Sequence, residues 1–300
     1  MNLLYFSAFR AVMLTGTVSA AAELLGRSQP AVSRLLDKLE AELGITLFER
    51  RKGLVTPTSV AHLLLDEIER AYISLDSLKS FAARVAEGAG RRIDTAIMPA
   101  LALGFVPRLL GRFREDWPQT KIRVNVTLSL KVEEWAASQQ IDVGLAEPPF
   151  RRSGFRVETF GNTPYIAVVP ADHPLAGRSS IGPTDLVGIP FIAWSSFTSA
   201  GQLLEQAFRS CGVRYDAAYE TNVSATALEM VRGGVGVGLI DPYTAVSEQD
   251  DGVRLIPFTP TIPFNVALLR PDSRPANRAV DALIDLMASE RDKLMDRLPR

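Results

Sequence analysis

Ser28-Gln29-Pro30-Ala31-Val32-Ser33-Arg34 decides how the N-terminal part of this chain is read. Ser28 is a good N-cap residue. Gln29 and Pro30 fill the first helical turn, where the N–H that proline lacks would have no intrahelical partner. Val32, Leu35, Leu36, Leu39 and Leu43 recur at helical spacing and predict an inward face. Opposite them stand Gln29, Ser33, Arg34 and Lys38, with no acid in the first two turns. Hydrogen-bonding and basic side chains of this kind meet base edges and phosphates.

The neighbouring segments support that reading. Ser19 to Leu25 predicts a short helix capped by Ser19 and ended by Gly26, and Ala21 and Ala22 are small enough for a close helix crossing. Gly26-Arg27-Ser28 then fits the short glycine-containing turn of a helix-turn-helix. Leu3 to Met13 places Phe6, Phe9 and Val12 or Met13 on one face, as a supporting helix would. After Gly44, two short apolar stretches flank Arg50-Arg51-Lys52-Gly53, the pattern of a two-stranded wing whose cations suit phosphate contact. The competing readings are a plain three-helix bundle and a merely solvated basic loop.

From Thr58 to Glu87 there is neither Gly nor Pro, and Val60, Leu64, Ile68, Ala71, Leu75, Leu78, Ala82 and Val85 step by three or four. That period near 3.5 predicts a coiled-coil seam pairing two chains. The alternative is one amphipathic helix packed on its own domain. Gly88-Ala89-Gly90 marks a hinge.

Residues 91–300 alternate strand-like and helix-like stretches, the rhythm of a parallel sheet. Strands are expected at 93–98, 122–128, 141–145, 165–169, 191–194, 217–220, 237–240, 253–257 and 265–269. Helices are expected at 104–115, 132–139, 201–211, 225–232 and 275–298. The chain is expected to leave one lobe near Gly161 and return near Pro263, which divides the region into lobe one (91–161 and 264–300) and lobe two (162–263). The domains before it are 1–59 and 60–90. Two lobes joined by two crossings place a cleft at the C-terminal strand ends, where helix N-termini favour anions. Met98-Pro99-Ala100-Leu101, Leu128-Ser129-Leu130, Ser195 to Ser199 and Thr221 to Ser224 fall there. Ser129, Thr198, Asn222 and Ser224 fall in these segments, and Glu147 and Asp241 follow neighbouring strands. The competing role for each is a cap serving its own helix or strand end.

Three hundred residues allow two or three domains, and 47% hydrophobic content fits an ordinary water-soluble fold. A formal net charge of -1 can conceal a small basic domain within a more acidic chain. Cys211 is the only cysteine, so no intramolecular disulfide forms and a reducing cytoplasm is the expected setting. No export signal or membrane-length apolar run is expected, and His62 and His173 stand apart with no metal-ligand spacing. Gly233-Gly234-Val235-Gly236-Val237-Gly238 follows a helix and precedes a strand, the reverse of a phosphate-cradling order. No nucleophile, base or cofactor motif supports an enzyme, and no cofactor is expected.

Residues 1–61 resemble the winged helix-turn-helix of the LysR-type transcriptional regulators. The resemblance rests on Phe6, Phe9, Gly16, Ala21, Ala22, Leu25, Ser28, Gln29, Pro30, Ala31, Ser33, Leu39, Glu40, Leu43, Gly44, Leu47, Phe48, Arg50 and Thr58. It implies an α/β fold class overall: an all-α winged helix-turn-helix followed by a two-lobed α/β domain like the periplasmic binding proteins. It implies DNA contacts from Ser28, Gln29, Pro30, Ser33, Arg34, Lys38, Arg50, Arg51, Lys52 and Thr58. It implies effector contacts from Met98, Pro99, Ala100, Leu101, Ser129, Leu130, Glu147, Ser196, Thr198, Asn222, Val223, Ser224 and Asp241, with Ser129, Thr198, Asn222 and Ser224 as carboxylate holders and Glu147 or Asp241 as the partner of an ammonium group. Met98 to Phe113, Glu133-Glu134-Trp135, Asp142 to Glu147, Asp241 to Ala245 and Pro263 to Val266 resemble the subgroup of diaminopimelate-responsive and opine-catabolism regulators. The implied partners are a double-stranded DNA operator, an amino-acid-like or opine-like effector, homodimers paired into homotetramers, and RNA polymerase, with no membrane. The alternative from another class is a solute-binding or enzymatic α/β domain whose N-terminal bundle only oligomerises it.

Overall fold

The computed structural model describes residues 2–51, 54–65, 67–69, 71–72, 92–196, 198–247 and 251–298. The chain forms two compact units, Met1–Lys79 and Ser80–Arg300.

In the first unit, helices Leu3–Thr15, Val18–Leu24 and Gln29–Leu43 are followed by an antiparallel pair, β1 (Phe48–Arg51) and β2 (Leu54–Pro57). Phe9, Ala21, Val32, Leu36, Leu39 and Leu47 form its core, each at most 1% exposed. Phe9 packs on Phe48 with ring centroids 5.7 Å apart, so the wing and the helices share one apolar interior. The second helix starts earlier than expected. Thr17, not Ser19, is its N-cap, with the Thr17 hydroxyl accepting from the Ala20 N–H at 3.1 Å. Both are good cap residues, and the choice falls to the one that puts buried Val18 inside the helix. Gly26 and Gly44 take the left-handed backbone beyond their helices, with φ of 61° and 68°.

The expected coiled-coil seam divides in two. Residues 59–65, 67–69 and 71–72 are helical. There Ala61, Leu64, Leu65, Ile68 and Tyr72 pack on this unit's own core, a stripe of ordinary amphipathic spacing. Val60 and Leu63 are 41% and 69% exposed. Leu64 and Ile68 thus belong to the domain's interior, whereas Val60 and Ala71 face outward. The packing partner explains the difference: Arg10 pairs with Glu69 at 2.6 Å and lies over the Tyr72 ring, drawing that side of the helix onto the Leu3–Thr15 helix. Leu75, Leu78, Ala82 and Val85 and the Gly88-Ala89-Gly90 hinge lie outside the described residues.

The second unit contains two five-stranded sheets. Its strands are β3 (Arg92–Ile97), β4 (Lys121–Val126), β5 (Val143–Ala146), β6 (Phe155–Pro164), β7 (Ile166–Pro170), β8 (Phe191–Trp194), β9 (Tyr219–Thr221), β10 (Val237–Ile240), β11 (Val253–Pro257) and β12 (Pro263–Pro271). One sheet runs β4-β3-β5-β12-β6 and the other β11-β7-β10-β8-β9. The parallel rhythm holds for three strands of each sheet, but β12 is antiparallel to both neighbours and so is β7. These are the strands entered directly after a crossing between the sheets, with no helix to reverse the chain. Among the described residues no single helix is long and apolar enough to cross a membrane.

β6 was not expected. Arg156 to Thr159 are all exposed, so the segment shows no apolar alternation, and only its long pairing with β12 makes it a strand. It carries the first sheet past Gly161 to Pro164, and Tyr165 is the crossing residue. Helices Phe105–Asp116 and Arg278–Met295 pack together on the first lobe, burying Leu109, Leu283 and Met287. Phe105, Phe160, Tyr165, Trp194, Tyr243 and Phe264 join one core that continues from the first sheet into the second.

Candidate nucleic-acid interface and ligand cleft

Apolar spacing orients the Gln29–Leu43 helix. With Val32, Leu36 and Leu39 buried, Ser28, Gln29, Pro30, Arg34 and Lys38 stand exposed on the other side, and Ser33 is half-buried. Arg34 and Lys38 make no ion pair among the described residues, so their charge is available to an anion. Ser28 occupies the cap position but its side chain makes no capping bond, which leaves its hydroxyl at the surface. Glu40 joins this helix to the wing: its carboxylate accepts from the N–H groups of Leu47 and Phe48 at 2.6 and 2.9 Å. Thr58 is engaged internally, donating to the Thr46 carbonyl and accepting from the Ala61 N–H. It therefore joins the wing to the next helix instead of presenting a free hydroxyl. The side chains of Arg50 and Arg51, and Lys52 and Gly53 entirely, lie outside the description.

In the second unit a cleft of about 800 Å³ opens between the sheets. Met98, Glu147, Ser195, Asn222 and Asp241 each follow the C-terminal end of a strand and line it. Of the expected effector residues, Met98, Pro99, Ala100, Ser129, Leu130, Glu147, Thr198, Asn222, Val223, Ser224 and Asp241 come together there. Two do not. Leu101 is 0% exposed because the short Pro99–Ala102 helix turns it into the core, and Ser196 is exposed but off the lining. Helices Ser129–Ala137 and Ser224–Arg232 begin at the cleft with Leu128 and Val223 as caps and no side-chain capping bond. Their first-turn N–H groups lack a side-chain acceptor and can meet an anionic group of a ligand.

The hydroxyls divide by where their hydrogen goes. Thr198 donates to the Ser195 carbonyl at 2.7 Å and caps its own helix at Gly201, which leaves no donor for a carboxylate. Ser129 accepts from the Glu147 N–H at 3.0 Å, and its own O–H stays free to donate. Ser224 accepts from the Asp241 N–H at 2.8 Å. Asp241 is 0% exposed, and Thr244 donates to it from both its N–H and its hydroxyl. Burial pushes its carboxyl up, while the bonds from Ser224 and Thr244 oppose that. Asp241 is therefore a fully buried part of the cleft floor, its carboxylate engaged as a cap, and it acts on the cleft through its field.

Glu147 is the acid within reach. Burial, then the neighbouring Asp241 charge, pushes its pKa up to about 7. No cation among the described residues neutralises it. Tyr165 packs beside it in the floor with Trp194 and Phe264, ring centroids 5.2 and 5.1 Å from its own. Burial and the charges of Glu147 and Asp241 push the Tyr165 hydroxyl well up, so it remains a neutral donor. Glu133, Arg151, Tyr165, Trp194, Gln202 and Glu220 also line the cleft and escaped sequence reading. Arg151 lies in a loop with no periodicity, and the aromatics read as ordinary core.

Residues 4–62 match the family model "Bacterial regulatory helix-turn-helix protein, lysR family", and residues 86–292 match that of the "LysR substrate binding domain". The chain belongs to the LysR-type family of bacterial transcriptional regulators. The regulator is 33% identical over 297 residues to the transcriptional activator protein LysR of Escherichia coli (strain K12), covering 99% of this chain and 96% of that one. It is 38% identical over 298 residues to the octopine catabolism/uptake operon regulatory protein OccR of Rhizobium meliloti, covering 99% and 97%. Its fold is shared with full-length CbnR in complex with its target DNA, with a TM-score of 0.59 at 18% identity over 96% of this chain and 99% of that one. The regulator thus joins a DNA-binding helix-turn-helix to an effector-binding domain, in a family of transcriptional regulators and not of enzymes.

Proposed function

We propose that the regulator answers to a small dipolar effector, amino-acid-like or opine-like, whose ammonium or guanidinium group sits against Glu147. The carrying observation is a partly buried carboxylate that forms no ion pair among the described residues, facing a cleft of about 800 Å³. Four acids and one arginine line that cleft, so a cationic ligand improves the local charge balance. OccR is named for octopine, a compound of this class.

On the DNA side, Gln29, Ser33, Arg34 and Lys38 read and grip a half-site, while Arg50, Arg51 and Lys52 of the wing meet the DNA phosphates. A dimer reading two half-sites about one DNA turn apart fits a single short recognition helix per chain. Exposed Val60 and Leu63 offer an apolar surface for that pairing. Dimers paired into tetramers, a cytoplasmic setting and contact with RNA polymerase complete the reading. The test is thermal unfolding of the full-length protein with octopine, arginine, ornithine, lysine and diaminopimelate. A selective, concentration-dependent rise in midpoint that Glu147→Gln removes is expected. A flat response across the panel overturns the effector class.

A further inference from the structure

Glu133 is a carboxylate only 1% exposed, and burying a charge is costly unless hydrogen bonds compensate. Here they come from one loop. The backbone N–H groups of Arg151 and Arg152 both donate to Glu133 Oε1, and the Arg152 guanidinium reaches Oε2 at 3.4 Å. The Ser129–Ala137 helix thereby grips the segment that leaves β5 through Glu147-Pro148-Pro149-Phe150. That segment carries two charged side chains to the cleft, Glu147 and Arg151. Arg151 is exposed, is the one Lys or Arg among the described lining residues, and makes no side-chain ion pair among the described residues.

The geometry points to Arg151 as the carboxylate clamp of the effector site, with Glu133 as the positioning residue that holds its loop in place. This rests on the reading of the cleft as a site for a dipolar effector and adds the group that selects the anionic end. Arginine suits the task because its planar fork meets a carboxylate through two parallel N–H···O bonds. A loop already held spares the ligand the cost of ordering it. Glu147 and Arg151 then present opposite charges from one short, proline-stiffened segment, so that the site recognises a ligand bearing both.

Titration calorimetry on the full-length protein distinguishes this from a merely acidic cleft. The probes are two pairs, arginine with agmatine and lysine with cadaverine, each amino acid set against its decarboxylated counterpart, and octopine as a fifth. Wild type is expected to prefer the amino acid of a pair. Arg151→Ala should erase that preference, weakening the amino acid or octopine about ten- to hundredfold while leaving the diamine or agmatine unchanged. Arg151→Lys should restore part of it. Glu133→Ala should reduce the preference although Arg151 is still present, a change that general loosening of the lobe would not confine to the carboxylate-bearing probes. Undiminished preference in Arg151→Ala overturns the clamp while the effector class stands. A wild type that binds none of the five probes overturns both.

Discussion

Glu147 concentrates the chemistry of the effector cleft in one side chain. Its neighbours are the buried Asp241, which repels its charge, and the neutral Tyr165 hydroxyl; Glu133, Glu220 and Arg151 are the other charged groups on the lining. With a folded pKa near 7 against an ordinary 4.5, the folded state holds this proton more tightly than the unfolded chain does. Its contribution to stability is complete below the unfolded value and is lost as pH rises through about 7. The lost stabilisation is on the order of 3 kcal/mol. The unfolding midpoint of wild type should therefore fall relative to that of Glu147→Gln between pH 5 and pH 8, and parallel curves would show that the proton is not held there. A cationic effector prefers the ionised carboxylate, so its affinity should rise about tenfold from pH 6 to pH 8, a dependence that titration at the two pH values reads directly.

At the scale of elements, the proposed reading has the recognition helix and the wing divide the labour of DNA binding. Arg34 extends from a helix whose opposite face is locked into the core by Val32, Leu36 and Leu39, so its approach to a groove is set by packing. Arg34→Ala should cost about 1–3 kcal/mol on the preferred sequence and relax discrimination at one base position. Arg51→Ala should weaken every sequence alike and lower the salt dependence by about one phosphate contact. Gel shifts with specific and scrambled duplexes at two salt concentrations compare them, and equal losses on both duplexes would remove Arg34 from base readout. Glu40 keeps the two elements in register without touching either groove. Its position in the helix was legible, but its bonds to Leu47 and Phe48 were not, since nothing in the spacing says where a half-buried carboxylate will find its donors.

At the scale of the molecule, the Pro242–Ser247 helix follows a strand of one sheet and packs on Pro99–Ala102 and Arg278–Met295, which belong to the other lobe. Its own cap is Asp241, on the cleft floor, and Arg108 donates to the Ser247 carbonyl at 2.6 Å. The approach is so close that a Cβ on Gly104 would lie 2.0 Å from the Ser247 Cβ. Gly104→Ala should lower stability by about 1–3 kcal/mol through overpacking, and it should weaken effector binding by shifting the floor. Ser247→Gly in the same chain should recover much of both losses, whereas Ser247→Ala, which keeps the clashing Cβ, should not. Calorimetric unfolding with and without ligand checks the series, and a silent Gly104→Ala would mean that the two helices have room to separate.

Local chemistry made the helix-turn-helix legible from its letters. Caps, glycines after helices, and apolar residues repeating at helical period act over a few residues and need no distant partner, so Ser28 to Leu43 could be placed and its outward face named. The strand–helix rhythm located the cleft for the same reason, because ligand-facing ends of strands follow from chain order. Other features depended on what a segment meets across the fold. Which side of the helical residues 59–65, 67–69 and 71–72 is buried was decided by Arg10, Glu69 and the first helix. β6 became a strand only by pairing with β12, and the direction of β7 and β12 followed from crossings that no local pattern records. Asp241 and Glu147 look alike in sequence as strand-end acids, but burial and Thr244 engage one within the floor and leave the other facing the cleft. Arg151 had no signal at all, for a loop residue acquires its role from the buried carboxylate that holds its backbone, and that carboxylate lies on a helix 18 residues earlier in the chain.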